Sequence, residues 1–250
     1  MKNQMLSLLF TGLLLGACSD EDTPQSQVSS IDNNGVLKGV IADFTPGSVD
    51  SVKVITSNGV VIGMSAVDSS GAFKINLSDE GLVPTEPLAD YLMTGFEGTI
   101  TPKNALIATL GVAAYKDGQE LGALYKSNFT LKYPSMNDQF RSSFTDELGS
   151  AISSFYYSPS SIKVKGISNM DVNSPVSSGI YIHMTRYSFD YMLKPGWNEI
   201  VTIYTQYTAK NPVEYLFFTY TQTIPVNMTW KLLSYPSYDY NNTDDYFYEF

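Results

Sequence analysis

Alternation of apolar and polar residues dominates the chain from residue 35 onward. A two-residue period places successive side chains on opposite faces of a β-strand. In residues 51–56, for example, it puts Val52 and Val54 on one face and polar neighbours on the other. The pattern predicts strands over residues 36–41, 51–56, 60–67, 73–77, 105–115, 120–133, 161–167, 179–191, 198–208, 213–223 and 226–233.

Turn-forming dipeptides separate several of these strands. Asn-Gly at 58–59 predicts a type I′ hairpin, and Asp-Gly at 117–118 predicts a second hairpin. Pro-Gly at 195–196 fits a type II turn, which needs a positive φ at its third residue. Residues 78–102 contain three prolines and several glycines and are therefore predicted to be mostly loop.

One segment has a helical pattern. Phe140, Phe144, Leu148 and Ile152 recur every four residues, which favours a short helix over residues 137–149. The residues from Ile152 onward read equally well as the start of a strand, so both interpretations stay open.

These elements predict a mainly all-β protein with at most one short helix. We expect two packed antiparallel β-sandwich subdomains, over residues 35–134 and 150–250, with their boundary in residues 134–150.

The N-terminus has the pattern of a secretory leader. Lys2 is followed by an apolar stretch over residues 5–15, which is too short to be a permanent membrane span. The sequence Leu15, Gly16, Ala17, Cys18 that ends it resembles a bacterial lipobox. The resemblance implies removal of residues 1–17 as a signal peptide and lipidation of Cys18, including palmitate-type chains. An ordinary secretory peptide is the alternative.

The residues after Cys18 are acidic and polar. Ser19, Asp20, Glu21 and Asp22 resemble the export tag of surface lipoproteins in one Gram-negative phylum of anaerobes. This implies an outer-membrane protein displayed on the cell surface, with the periplasmic face as the alternative. Residues 18–34 are then the lipidated tether, through which the membrane is a partner.

The first predicted strands resemble the carboxypeptidase-regulatory-like, or transthyretin-like, β-sandwich. The likeness covers residues 35–77 and consists of Gly35, Gly39, the Asn-Gly hairpin and the sequence Val-Asp-Ser-Ser-Gly-Ala-Phe-Lys-Ile. It implies a fold and no activity. The sequence Leu-Lys-Pro-Gly-Trp-Asn at 193–198 resembles an element of uncharacterised surface lipoproteins from the same bacterial group.

Composition excludes several classes of function. The chain has one Cys and one His, which leaves no room for a His/Cys zinc site, a disulfide framework or an iron–sulfur cluster. Its net charge of −10 argues against nucleic acid as a partner. His183, the only imidazole, stands in mid-strand and lacks a nucleophile motif around it. We therefore predict no catalytic residues, no metal site and no cofactor.

Aromatic residues make up 13% of the chain and suggest a different kind of site. The apolar face of a sugar ring stacks on exposed Tyr or Trp side chains. Trp230, Tyr235, Tyr238 and Tyr240 are the candidates for such a platform, whereas Trp197 is expected to fill the edge of the core.

The favoured interpretation is a non-catalytic envelope lipoprotein that serves as a binding or scaffold module, with a glycan or a surface protein as its partner. The first alternative is a structural subunit of a fimbria-like or adhesin assembly, in which residues 246–250 are donated as a strand to a neighbouring subunit. A glycoside hydrolase using paired carboxylates is the third interpretation.

Overall fold

The computed structural model describes residues 27–32, 34–77, 83–92, 95–130, 148–176, 179–210 and 213–234. Within them the fold is almost entirely β, as predicted, and the only helical element is a 3₁₀ turn at Leu88–Tyr91. The strands are β1 (Val36–Val40), β2 (Ser51–Thr56), β3 (Val61–Ala66), β4 (Ala72–Asn76), β5 (Glu86–Pro87), β6 (Phe96–Thr101), β7 (Leu106–Lys116), β8 (Gln119–Ser127), β9 (Ala151–Ser158), β10 (Ile162–Val176), β11 (Gly179–Leu193), β12 (Gly196–Lys210), β13 (Val213–Thr221) and β14 (Thr229–Ser234).

The N-terminal strands enclose the largest hydrophobic core. β1 and β4 form a separate two-stranded antiparallel sheet, which packs against β2, β7 and β8 of the large sheet. The alternation predicted for β2 is confirmed, because Val52 and Val54 are fully buried in this core. Phe73 and Ile75 of β4 fill it from the opposite sheet.

Two glycines, one in β1 and one directly before it, leave space for tryptophan rings in this core. A Cβ atom at Gly35 would lie 2.6 Å from Nε1 of Trp197. A Cβ atom at Gly39 would collide with the indole of Trp230. Since real Cβ atoms never approach other heavy atoms this closely, both positions require glycine. The spacing of the two glycines therefore reflects the packing of two tryptophans.

The turns differ in detail from their predictions. The hairpin β2–β3 is present, but the type I′ assignment is wrong, since only Gly59 of the Asn-Gly pair has a positive φ. Gly59 donates to the Thr56 carbonyl, which gives a type I turn followed by a glycine bulge. The hairpin β7–β8 does have positive φ at both Asp117 and Gly118, as a type I′ turn requires.

The C-terminal strands extend the large sheet in the order β9-β12-β13-β11-β10-β6. Their pairing is antiparallel except between β11 and β13, which run parallel. The prediction of antiparallel sheets is wrong at this point. After the turn at Gly196 the chain runs as β12 beside β9, and it then returns as β13 between β12 and β11, parallel to β11. Gly196 has a φ of 90°, as the predicted type II turn needs.

Strand pairing crosses the expected boundary between the two halves. β7 pairs with β9 through residues 108–110, β8 pairs with β14, and β6 pairs with β10. The division into residues 35–134 and 150–250 stays a prediction, but both parts contribute to one twelve-stranded sheet. Most of the segment 137–149, including the predicted helix up to residue 147, lies outside the described residues.

Candidate functional site

The C-terminal half of the sheet has one face rich in aromatic side chains, here called the aromatic face. It consists of Phe96, Tyr156, Tyr187, Phe189, Tyr191, Tyr204, Phe218 and Tyr220. Alternation along each strand points these side chains to the same side of the sheet, and the parallel register sets Tyr187 opposite Phe218 and Phe189 opposite Tyr220.

The rings of the aromatic face contact one another in a continuous series. Phe189 and Tyr220 stack with ring centroids 4.7 Å apart, and Tyr187 stacks on Phe218 at 5.4 Å. Phe96 meets Phe189 edge-on at 5.6 Å. Phe189 and Phe218 are buried, whereas Phe96, Tyr187 and Tyr220 are half-buried. The buried rings thus support a row of aromatic side chains that reaches the solvent.

The phenol groups of this face are neutral at physiological pH. Burial raises the pKa of Tyr187 to about 12, and the neighbouring Tyr220 adds to the rise. Burial likewise raises the pKa of Tyr156 to about 12 and raises the pKa values of Tyr191 and Tyr220. Neutral phenols both donate and accept hydrogen bonds. The face is therefore suited to an uncharged ligand with hydroxyl groups.

A hollow of about 480 Å³ lies beside β6. It is lined by Phe96, Gly98, Thr99, Ile100, Thr101 and Lys103. β6 is the last strand in the order of the large sheet, and no strand of the described part of the chain pairs with its outer edge. Because Phe96 contacts Phe189, the hollow borders the aromatic face.

A buried ion pair forms a second constellation, on the other side of the sheet. Nζ of Lys126 in β8 lies 2.8 Å from Oε1 of Glu199 in β12, and both side chains are almost completely shielded from solvent. Two charges in such a site are costly to bury unless hydrogen bonds compensate the loss of water.

Serine groups supply this compensation for Glu199. The hydroxyl of Ser153 donates to Oε1 at 2.6 Å. On the other oxygen, Oε2, the hydroxyl of Ser29 donates at 2.9 Å and the backbone N–H of Ser30 donates at 2.7 Å. One carboxylate thus joins β8, β9 and β12 to the chain at residues 29–30. We call Lys126, Glu199, Ser153, Ser29 and Ser30 the ionic clamp.

Of the site residues predicted from the sequence, the structure describes Trp230 alone. Trp230 is not on a surface platform, since it is 3% exposed and its ring stacks on Phe155 at 5.3 Å. The prediction for Trp230 is wrong because the pairing of β14 with β8 decides which face of β14 lies in the core. Trp197, by contrast, fills the edge of the core as expected, at 9% exposure.

The other candidates are not described by the structure. This applies to Leu15, Gly16, Ala17, Cys18, Ser19, Asp20, Glu21 and Asp22, and to Tyr235, Tyr238 and Tyr240. The backbone of His183 lies within β11, where it pairs with Val172 and Glu214.

The ionic clamp and the aromatic face were missed as sites. Lys126 follows the apolar residues 123–125 and Glu199 precedes the apolar residues 200 and 201, and this was the one signal of a buried pair in the sequence. In the described residues, no group of three or more His, Cys, Asp and Glu side chains is placed to hold a metal ion. None of the helical structure described in the chain is long and apolar enough to cross a membrane.

Comparisons with protein-family models, with curated proteins and with solved structures find no match to this chain.

Proposed function

We propose that the chain is a lipid-anchored protein of the bacterial cell envelope that acts as a non-catalytic binding module. The observation that carries the proposal is the sequence Leu15, Gly16, Ala17, Cys18, in which the only cysteine of the chain follows an apolar leader at the position that lipidation requires. Three acyl chains attached there would hold the protein firmly, since each buried CH₂ contributes about 0.8 kcal/mol.

The binding role is supported by the aromatic face. A pyranose ring presents an apolar surface that stacks on an aromatic ring and hydroxyl groups that bond to neutral phenols. Tyr187 and Tyr220 offer both features at half-buried positions. The proposed glycan platform is therefore on β11 and β13, and Trp230 has no part in it.

The proposal also assigns residues 35–77 to the carboxypeptidase-regulatory-like type of β-sandwich. Its support is the strand arrangement, in which β1 and β4 pair in one sheet while β2 and β3 pair in the other.

Cell fractionation and a glycan array test the two parts of this proposal. The wild-type chain is expected in the membrane fraction and accessible to protease added to intact cells, whereas Cys18→Ser is expected in the soluble fraction. On the array, Tyr187→Ala is expected to lose binding that the matched variant Tyr115→Ala, on β7 in the N-terminal half of the chain, retains. A soluble wild-type chain contradicts the anchor, and equal binding by both variants contradicts the platform.

A second candidate is a structural subunit of a surface assembly. The open outer edge of β6 and the hollow beside it favour this candidate, because an extended peptide adds to such an edge by main-chain hydrogen bonds. Residues 246–250, of which four are aromatic, are the proposed donor. Deletion of residues 238–250 should then abolish oligomers seen with the full chain, and oligomers that survive the deletion contradict strand donation.

A further inference from the structure

The chain is fastened to the folded body from Gln27 onward. The backbone N–H of Gln27 donates to the carbonyl of Ile224 at 2.8 Å, between β13 and β14. Ser29 and Ser30 follow at once and are held by the carboxylate of Glu199 in the ionic clamp. Ile31 then bridges to Leu37 and is 5% exposed. The described chain is therefore already attached to the body at Gln27, well before the first strand.

This attachment limits the distance between the body and a lipid at Cys18. Nine peptide steps separate Cys18 from Gln27. Even a fully extended chain of that length spans only about 32 Å. A coil of this length has a typical end-to-end distance of only about 17 Å. The point at which Gln27 joins the body must then stay close to the membrane.

Two segments of the chain meet at that point. Residues 27–31 and 222–228 carry no charged side chain, although 16% of the chain is charged. Two valines are exposed there, Val28 at 83% and Val226 at 41%. They flank the Gln27–Ile224 hydrogen bond in sequence, one residue from Gln27 and two from Ile224. We call residues 27–28 and 222–227 the entry surface.

A neutral surface with exposed valines is compatible with the headgroup boundary of a bilayer. Charged groups there would have to keep their water, whereas valine side chains gain from losing it. With the anchor nearby, even a weak attraction orients the body, since the lipid raises the effective concentration of the entry surface at the membrane.

We infer that the entry surface rests on the membrane that holds the lipid anchor, so that Val28 and Val226 meet the headgroup region. The inference depends on the proposed lipidation of Cys18. It gives the protein a fixed orientation, with the entry surface towards the lipid and β3, at one end of the strand order, towards the solvent.

Site-directed fluorescence tests the orientation, because the anchor consumes the only native cysteine. Val28→Cys and Val226→Cys would be labelled with an environment-sensitive fluorophore in the lipidated protein on phosphatidylcholine vesicles. Met64→Cys on β3, which is 69% exposed, is the matched control. A nitroxide carried on the lipid is expected to quench the label at 28 and 226 and to leave the label at 64 bright.

The outcomes separate the inference from the proposed function. Flotation of the protein with the vesicles shows whether the anchor is present. Vesicle-bound protein with equal quenching at all three positions, or with stronger quenching at position 64, overturns the orientation and leaves the anchor intact. Protein that does not float overturns both.

Discussion

Glu199 holds more of the fold together than any other polar side chain in the described part of the chain. Its two oxygens accept hydrogen bonds from Lys126, Ser153, Ser29 and the backbone of Ser30. Because the carboxylate is deeply buried, its removal would leave these donors without a hydrogen-bond partner. Residues 29–30 are therefore attached to the folded body through Glu199.

Removal of this carboxylate should be costly. Glu199→Ala leaves the Lys126 ammonium buried and unpaired, so the free energy of unfolding should fall by about 3–5 kcal/mol. The double variant Lys126→Met with Glu199→Leu removes both charges and should be more stable than the single variant. Urea unfolding measures both. If Glu199→Ala lowers the free energy of unfolding no more than Glu97→Ala, a substitution at an exposed position, then the ionic clamp does not stabilise the fold as its geometry implies.

The two tryptophans differ in how far their positions in the fold could be predicted from the sequence. Trp197 follows a turn, and its place at the core edge could be predicted from that position. Trp230 stands in a strand with apolar residues at several neighbouring positions, so either face of β14 could point inwards. Pairing with β8 turns Trp230 towards Phe73 and Phe155, and this long-range contact was not visible in the sequence.

Among the elements, β6 depends most directly on a glycine. Gly98 faces Gly166 of β10, and the ring of Phe96 covers both residues. A Cβ atom at Gly98 would lie 2.6 Å from the Cα of Gly166 and would collide with the carbonyl of Lys165, and neither backbone atom can move freely.

Gly98→Ala should consequently detach β6 from β10. The expected result is a loss of hydrogen-exchange protection in residues 96–101 and 163–168, together with lower stability. Gly111→Ala is the matched control, because a Cβ atom there has no neighbour closer than 3.8 Å. Equal protection in the two variants would mean that β6 does not need the close approach of the two backbones.

This glycine also explains why β6 was predicted to be part of a loop. Glycine and proline normally interrupt strands, and residues 78–102 contain both. In β6, however, the ring of Phe96 occupies the space that a side chain at position 98 would need. The two-residue period elsewhere in the chain was sufficient to predict most of the other strands.

The aromatic face should have a characteristic alkaline titration. Tyr156 and Tyr187 keep their protons in the folded state up to a pKa of about 12, above the ordinary value of 10.0. A raised pKa in the folded state stabilises the fold below pH 10, and this contribution is lost as the pH rises through 12. Absorbance at the phenolate band should show a late-titrating group of tyrosines that Tyr187→Phe reduces. Titration of every tyrosine near pH 10 in the folded protein would contradict the burial of these rings.

At the scale of the whole molecule, the large sheet joins the two halves of the chain. β7 lies at the junction, since it pairs with β8 towards its C-terminal end and with β9 through residues 108–110. Two packed β subdomains were expected, because the alternation of residues predicts the strands but not their order in a sheet. The pairings that join the halves link residues far apart in the sequence.

Calorimetry can distinguish one cooperative unit from two. Hydrogen-bonded strand pairs join the part of the chain before residue 134 to the part after residue 150. The chain should therefore unfold in a single transition whose calorimetric and van't Hoff enthalpies agree. Two resolved transitions would show that the halves fold independently despite the shared sheet.

The proposed lipid anchor at Cys18 would hold the entry surface, and the residues bound by the ionic clamp, near the membrane. Mass spectrometry of the N-terminal peptide, from protein produced in a Gram-negative envelope, tests this account most directly. We predict a peptide that begins at Cys18 and carries both a thioether-linked diacylglyceryl group and an amide-linked fatty acid. A peptide with unmodified Cys18, or one that still contains residues 1–17, would contradict it.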